Sequence, residues 1–245
     1  MGAGAVVFDL DGTLVDTAPD LWRATNHVLT SYGRRGITLP EVRDFVGYGA
    51  RALISRGLKA TGEAGDRPTV EALYADFVAH YGEHLAEESE AFPGAMALLD
   101  ELKAHGFCLG VCTNKLEGLS VKLLETLGLA KYFDVVVGPD TVGIAKPDPA
   151  IYRETLSRMP ARIDRSVMIG DSETDVLTAR AAGVPVIGVT FGYTPRPLVE
   201  FEPDHLISDF REALAAIMEA LGEQTPSARH RRPLSEADAL GGFAE

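Results

Sequence analysis

Val6-Val7-Phe8-Asp9-Leu10-Asp11-Gly12-Thr13-Leu14-Val15-Asp16 sets an apolar run directly against a pair of carboxylates. With Ala5, the residues before Asp9 are apolar at consecutive positions, the pattern of a strand covered by helices on both faces of a parallel sheet. Ligands of open α/β sheets bind just beyond the carboxyl ends of the strands, so the two acids mark the expected site edge. Asp9 and Asp11 stand two residues apart, close enough to address one ligand, and Gly12-Thr13 lets the backbone turn away sharply. Asp and Gly are also ordinary turn residues, so what lies downstream decides between a turn and a metal-assisted site.

The chain has 245 residues, 46% of them hydrophobic, enough for one large domain or a core domain with an inserted module. Lys and Arg number 23 against 36 Asp and Glu, a net charge of −13 that disfavours nucleic-acid binding. The uncharged run from Gly183 to Pro195 is too short to span a bilayer, so no membrane partner is expected. The N-terminal apolar run has no preceding Lys or Arg and ends at Asp9, which argues against a secretory signal and makes the cytoplasm the expected location. Cys108 and Cys112 fall in one apparent strand, too far apart along it to bridge, and two reduced thiols fit a reducing compartment.

After Asp16 the pattern turns helical until about Ala91. Helices are expected at 18–32, Glu41 to Phe45, Ala50 to Lys59 and Thr69 to Leu85, an all-helical insertion over residues 17–91. Within it, Gly47-Tyr48-Gly49-Ala50-Arg51 reads either as a helix–helix turn or as a loop that lowers a backbone amide or Arg51 onto a substrate carboxylate or phosphate. His80 and His84 have the one-turn spacing of metal ligands, but with no third ligand nearby in sequence they read as a surface face.

From Phe92 strands and helices alternate. A helix with Met96, Leu98, Leu99 and Leu102 as its core face leads to the strand Phe107 to Cys112, which ends in Thr113-Asn114-Lys115, a cluster of donors suited to phosphate oxygens. A helix at 116–127 and a strand from Phe133 to Val137 precede Lys146-Pro147-Asp148-Pro149, where proline makes the lysine's backbone extended. Val167 to Ile169 ends in Gly170-Asp171-Ser172-Glu173-Thr174-Asp175, followed by a helix to Ala182, a strand from Val184 to Val189, a weak edge strand at His205 to Ile207 and a helix at 210–221. Such alternation implies a doubly wound, Rossmann-like parallel sheet, with a core of residues 1–16 and 92–222. Residues 223–245 lack apolar periodicity and are expected to form a flexible tail.

Carboxylate pair, Thr-Asn, Lys and Gly-Asp-Ser-x-x-Asp therefore fall in that order at separate strand ends, from Asp9 to Asp175. With these motifs the chain resembles the haloacid dehalogenase-like superfamily of hydrolases. Asp9 to Asp16, Val46-Gly47-Tyr48-Gly49 and Phe191-Gly192-Tyr193 look most like the phosphoglycolate phosphatase branch of that superfamily.

The resemblance implies that the inserted helices are a cap and that a Mg²⁺-dependent phosphomonoester hydrolase works through an aspartyl-phosphate on Asp9. It implies that Asp11 is acid and then base and that Thr113, Asn114 and Lys146 contact the phosphoryl group, while Gly47 and Arg51 of the inserted loop remain the candidate substrate contacts from the residues themselves. Asp9, the Asp11 main-chain oxygen, Asp171 and Asp175 would serve the metal, Asp175 directly, through water or by orienting Lys146. The expected partner is a small phosphorylated metabolite, foremost 2-phosphoglycolate, with a monomer or homodimer as the assembly. Alternative readings are a phosphosugar mutase, a phosphatase for another small substrate, and a non-catalytic member that binds a phospholigand or protein.

Overall fold

The computed structural model describes residues 4–222. Strand β1 (Ala5–Phe8) is buried throughout, as its unbroken apolar run requires. A turn through Gly12 leads to the two-residue strand β2 (Val15–Asp16). Four helices follow: α1 (Ala18–Ser31), α2 (Leu39–Phe45), α3 (Ala50–Thr61) and α4 (Arg67–Glu83). Local chemistry sets their starts. Thr38 and Glu41 form a reciprocal capping box at α2, and the Asp66 carboxylate accepts from the Thr69 amide at α4.

Strand β3 (Glu90–Ala91) then pairs antiparallel with β2, Val15 opposite Ala91 and Asp16 opposite Glu90, so both ends of the helical insertion leave from one point. Buried Asp20 reinforces this stem by accepting from the Ser89 amide at 3.0 Å and from the Ser89 hydroxyl.

The rest of the chain alternates: α5 (Ala95–Ala104), β4 (Cys108–Cys112), α6 (Glu117–Thr126), β5 (Val135–Val137), α7 (Pro139–Val142), α8 (Pro149–Ser157), β6 (Ser166–Gly170), α9 (Glu173–Ala182), β7 (Val186–Val189), β8 (His205–Ile207) and α10 (Ala213–Ala220). Six strands form one parallel sheet in the order β5-β4-β1-β6-β7-β8, so β1 lies between β4 and β6. Side chains alternate across it. Val6, Phe8, Leu109, Val111, Val167 and Ile169 face the layer of α5, α6 and α10, whereas Ala5, Val7, Cys112 and Met168 face α8 and α9.

Several local expectations need correction. Met96 is largely exposed, because the buried stripe of α5 runs through Ala95, Leu98, Leu99 and Leu102 and places residue 96 on the outer face. Strands β5 and β7 start two residues later than their apolar runs, and residues 210–212 are a 3₁₀ turn ahead of α10. The β2–β3 pair and α7 are too short to leave a periodic signal. Both cysteines are free and buried. No helix among the described residues is long and apolar enough to cross a membrane. The expected tail at 223–245 lies outside the described residues.

Candidate active site

The order β4-β1-β6 sets the carboxyl ends of three strands side by side, and each delivers one motif. Asp9 follows β1 and is buried, with its amide donating to the Ile169 carbonyl of β6 at 2.9 Å. Thr113 follows β4, its amide on the Val137 carbonyl of β5 at 3.1 Å. Asp171 follows β6 and accepts from the Thr13 hydroxyl at 2.9 Å and the Tyr193 amide at 2.8 Å. Asp175 sits in the first turn of α9 and accepts from the Ser172 amide at 3.1 Å and hydroxyl at 2.6 Å. Lys146, from the loop before α8, places its Nζ 2.8 Å from Asp9 Oδ1 and 2.7 Å from Asp175 Oδ1.

Four ionisable side chains are thus buried together, and their electrostatics are decided by burial and charge balance. Burial raises the Asp9 carboxyl to about 7 against the pull of Lys146, with Asp175 adding to the rise. Burial again, then the neighbouring Asp9 and Asp175, raises Asp171 to about 8. Burial lowers Lys146, but Asp175 and Asp9 more than offset it and hold its ammonium above the ordinary lysine range. A single lysine does not balance three buried carboxylates.

Ligand oxygens of Asp9, Asp171 and Asp175 lie within 4.8 Å of one another, and among the described residues no other group of His, Cys, Asp or Glu converges in this way. Asp9 Oδ1 is buried and has only the Lys146 ammonium, shared with Asp175, against its charge. Hard oxygen ligands and negative charge in excess of the one lysine fit a divalent cation of the Mg²⁺ type. Asp175 is also tied to Lys146 and Ser172, so it serves to orient the lysine whether or not it touches a metal. Among the described residues the histidines form no second centre. His27 of α1 stacks on His80 at 3.8 Å with 2° between the rings, which sends their in-plane nitrogens along parallel directions.

Gly12 holds the two acids in place. Its φ of +87° is a left-handed conformation, and a Cβ there would stand 2.4 Å from Asp171 Oδ2 and 2.8 Å from the Tyr193 ring. Gly12→Ala is expected to cost about 1–2 kcal/mol of backbone strain before any displacement of Asp171. A fall of roughly 2–8 °C in the midpoint of a thermal melt would report that strain. An unchanged midpoint would show that the turn relaxes.

Asp11 points to a cavity of about 250 Å³ between the sheet ends and the helical insertion. Its carboxylate accepts from the Thr17 hydroxyl at 2.7 Å and from Lys115 Nζ at 3.0 and 3.3 Å. Lys115 is buried, and the Tyr81 hydroxyl of α4 accepts its third bond at 2.8 Å. Asp9, Thr113 and Asn114 line the same space, facing Gly47, Leu53, Phe77 and Leu119.

Two expected contacts are committed elsewhere. The Asn114 side-chain amide donates to the carbonyls of Gly47 at 2.9 Å and Lys146 at 3.2 Å, and its oxygen accepts from the Lys146 amide at 2.8 Å. It therefore fastens two loops rather than offering free donors. Arg51 reaches the cavity wall, but its guanidinium is bidentate with Glu71 at 2.8 and 2.9 Å and stacks on Tyr74. The sequence offers Lys115 as a phosphate donor beside Thr113-Asn114, whereas the structure sets it on Asp11 and Tyr81, and Tyr81 itself carries no sequence signal.

A family model described as haloacid dehalogenase-like hydrolase matches residues 6–189. A phosphoglycolate phosphatase of Agrobacterium fabrum is 43% identical over 215 residues, which is 88% of this chain and 92% of that protein. A predicted phosphoglycolate phosphatase from Haemophilus somnus, known from a crystal structure, superposes with a TM-score of 0.81 at 29% identity, covering 87% of this chain and 97% of the other. CbbY from Rhodobacter sphaeroides, crystallised in complex with phosphate, gives 0.75 at 28% identity, covering 88% and 99%.

Proposed function

The chain belongs to the haloacid dehalogenase-like hydrolases and is a phosphatase, and on that premise we propose that it hydrolyses 2-phosphoglycolate with Asp9 as nucleophile and Mg²⁺ as cofactor. The observation that carries this reading is the meeting of Asp9, Asp11 and Lys146 with Asp171 and Asp175 at adjacent strand ends, below a cavity closed by helices. An anion attacking an anionic ester needs positive charge and positioning above all. Asp9, Asp171 and Asp175, with the Asp11 main-chain oxygen, would hold the cation, which would supply that charge and keep Asp9 ionised.

In the first half-reaction the Asp9 carboxylate forms a bond to phosphorus as the ester P–O bond breaks, and Asp11 gives its proton to the leaving oxygen. In the second, Asp11 takes a proton from water as the water oxygen attacks the aspartyl-phosphate. Inorganic phosphate leaves and Asp9 is restored. Thr113 and the Gly47 loop border the phosphoryl group, and Lys146 offsets its charge. The four inserted helices act as the cap that encloses the leaving group, with Arg51 at its rim. The acidic surface and reduced cysteines suit a cytoplasmic enzyme acting on a small metabolite, as a monomer or homodimer.

A panel of phosphorylated metabolites compared by kcat/KM tests the substrate. 2-Phosphoglycolate is expected at the top. A sugar phosphate or nucleotide at least tenfold better would replace that assignment, and transfer of the phosphoryl group to a sugar rather than to water would make the protein a mutase.

A further inference from the structure

We propose that Lys115, aided by Tyr81, recognises the carboxylate of the substrate by exchanging Asp11 for it, an inference that rests on the hydrolysis of a carboxylated phosphomonoester proposed above. A substrate carboxylate entering this cavity meets Asp9 and Asp11 and needs a cation to offset them. Among the described residues lining the cavity, the cations are Lys115 and Arg51. The Arg51 side chain is 54% exposed and already satisfied by Glu71, so solvent weakens its field and a carboxylate partner occupies its fork. That of Lys115 is 5% exposed, where an ion pair is screened far less.

Position favours Lys115 as well. The leaving oxygen must come within hydrogen-bond reach of Asp11 to receive its proton. In an α-carboxylated ester the carboxylate is one carbon beyond that oxygen, which brings it beside the group that Asp11 already binds, Lys115 Nζ at 3.0 Å. A lysine ammonium carries three donors on a flexible stem and can change partner by a small swing. Tyr81 accepts from Lys115 and keeps its own hydroxyl proton, so it can donate to the same carboxylate. An ester with a neutral group in place of the carboxylate gives the ammonium nothing to exchange for Asp11.

The test compares kcat/KM of the Mg²⁺-loaded full chain for 2-phosphoglycolate and for 2-hydroxyethyl phosphate, in which a hydroxymethyl group replaces the carboxylate. Lys115→Met is expected to lower the ratio of the two constants by about 10–100-fold, chiefly through KM of the carboxylated ester, as loss of a charged hydrogen bond predicts. Arg51→Met should shift the ratio by less than about threefold. Tyr81→Phe, which removes one oxygen and keeps the ring, should lower it about 3–10-fold and stands in if Lys115→Met does not fold. Equal losses on both esters in these variants, a wild-type enzyme that does not distinguish the esters, or a ratio that collapses in Arg51→Met instead would each overturn the proposal. A wild-type protein inactive on both esters but active on another phosphomonoester would overturn the 2-phosphoglycolate reading on which the proposal rests, a separable result.

Discussion

Asp9→Asn is expected to abolish turnover on every phosphomonoester, whereas Asp11→Asn should leave activity that depends on the leaving group. The two residues are two positions apart but occupy different settings. Asp9 is buried with its carboxylate at Lys146 and the acidic trio, while Asp11 faces the cavity and Thr17. Replacing Asp9 removes the nucleophile and a charged metal ligand together, so no phosphoenzyme should be trapped by rapid acid quench. Replacing Asp11 keeps both; besides the charge that pairs Lys115 it removes the proton transfer, worth roughly 10²–10⁴-fold in rate for an alkyl phosphate. The Asp11→Asn defect should shrink on an aryl phosphate, whose leaving oxygen needs little protonation. Substantial hydrolysis of the aryl ester by Asp9→Asn would mean that water attacks phosphorus directly, and would remove the covalent step.

Removal of divalent cations is expected to lower activity by roughly 10²–10³-fold or more, from the several kcal/mol of charge stabilisation that a metal supplies. It should also make stability depend on pH in a definite direction. Asp9 and Asp171 rise from 3.8 to about 7 and about 8, so between about pH 4 and 8 the folded chain holds more protons than the unfolded one. Stability of the chelated protein must therefore fall as pH rises through that window. Mg²⁺ takes over the role of those protons and should flatten the slope. Melts at pH 5, 6, 7 and 8, with chelator and with excess Mg²⁺, read the difference. A chelated protein whose melting midpoint rises across the window, or that retains full activity, contradicts the metal site.

Much of this was legible in the sequence because it is local. Ala5 to Phe8 and Ser166 to Gly170 are buried on both sides, and consecutive apolar residues report that environment directly. The cap at Asp148 binds an amide two residues on, which makes that helix start readable, whereas the caps at Thr38 and Asp66 start α2 and α4 two residues ahead of the expected Glu41 and Thr69. Met96 misled because a stripe at helical spacing tolerates one apolar residue on its outer edge. The β2–β3 pair left no signal because two residues hold no period.

Sequence alone therefore determined the parallel α/β class, the helical insertion and the residue types at each strand end, since each depends on a residue and its near neighbours in the chain. Only the tertiary structure decided which of those residues act on one another. The order β4-β1-β6 brings Thr113 and Asp171 to either side of Asp9, and Lys146 closes the acidic centre from a loop that adjoins none of them in sequence. The same holds at the cavity, where Asn114 spends its amide on two loops, Glu71 occupies Arg51, and Lys115 crosses 104 residues of chain to meet Asp11. Ion pairs and hydrogen bonds of this kind follow distance in space, and a chain pattern carries no record of which charge will find which partner once the sheet has assembled.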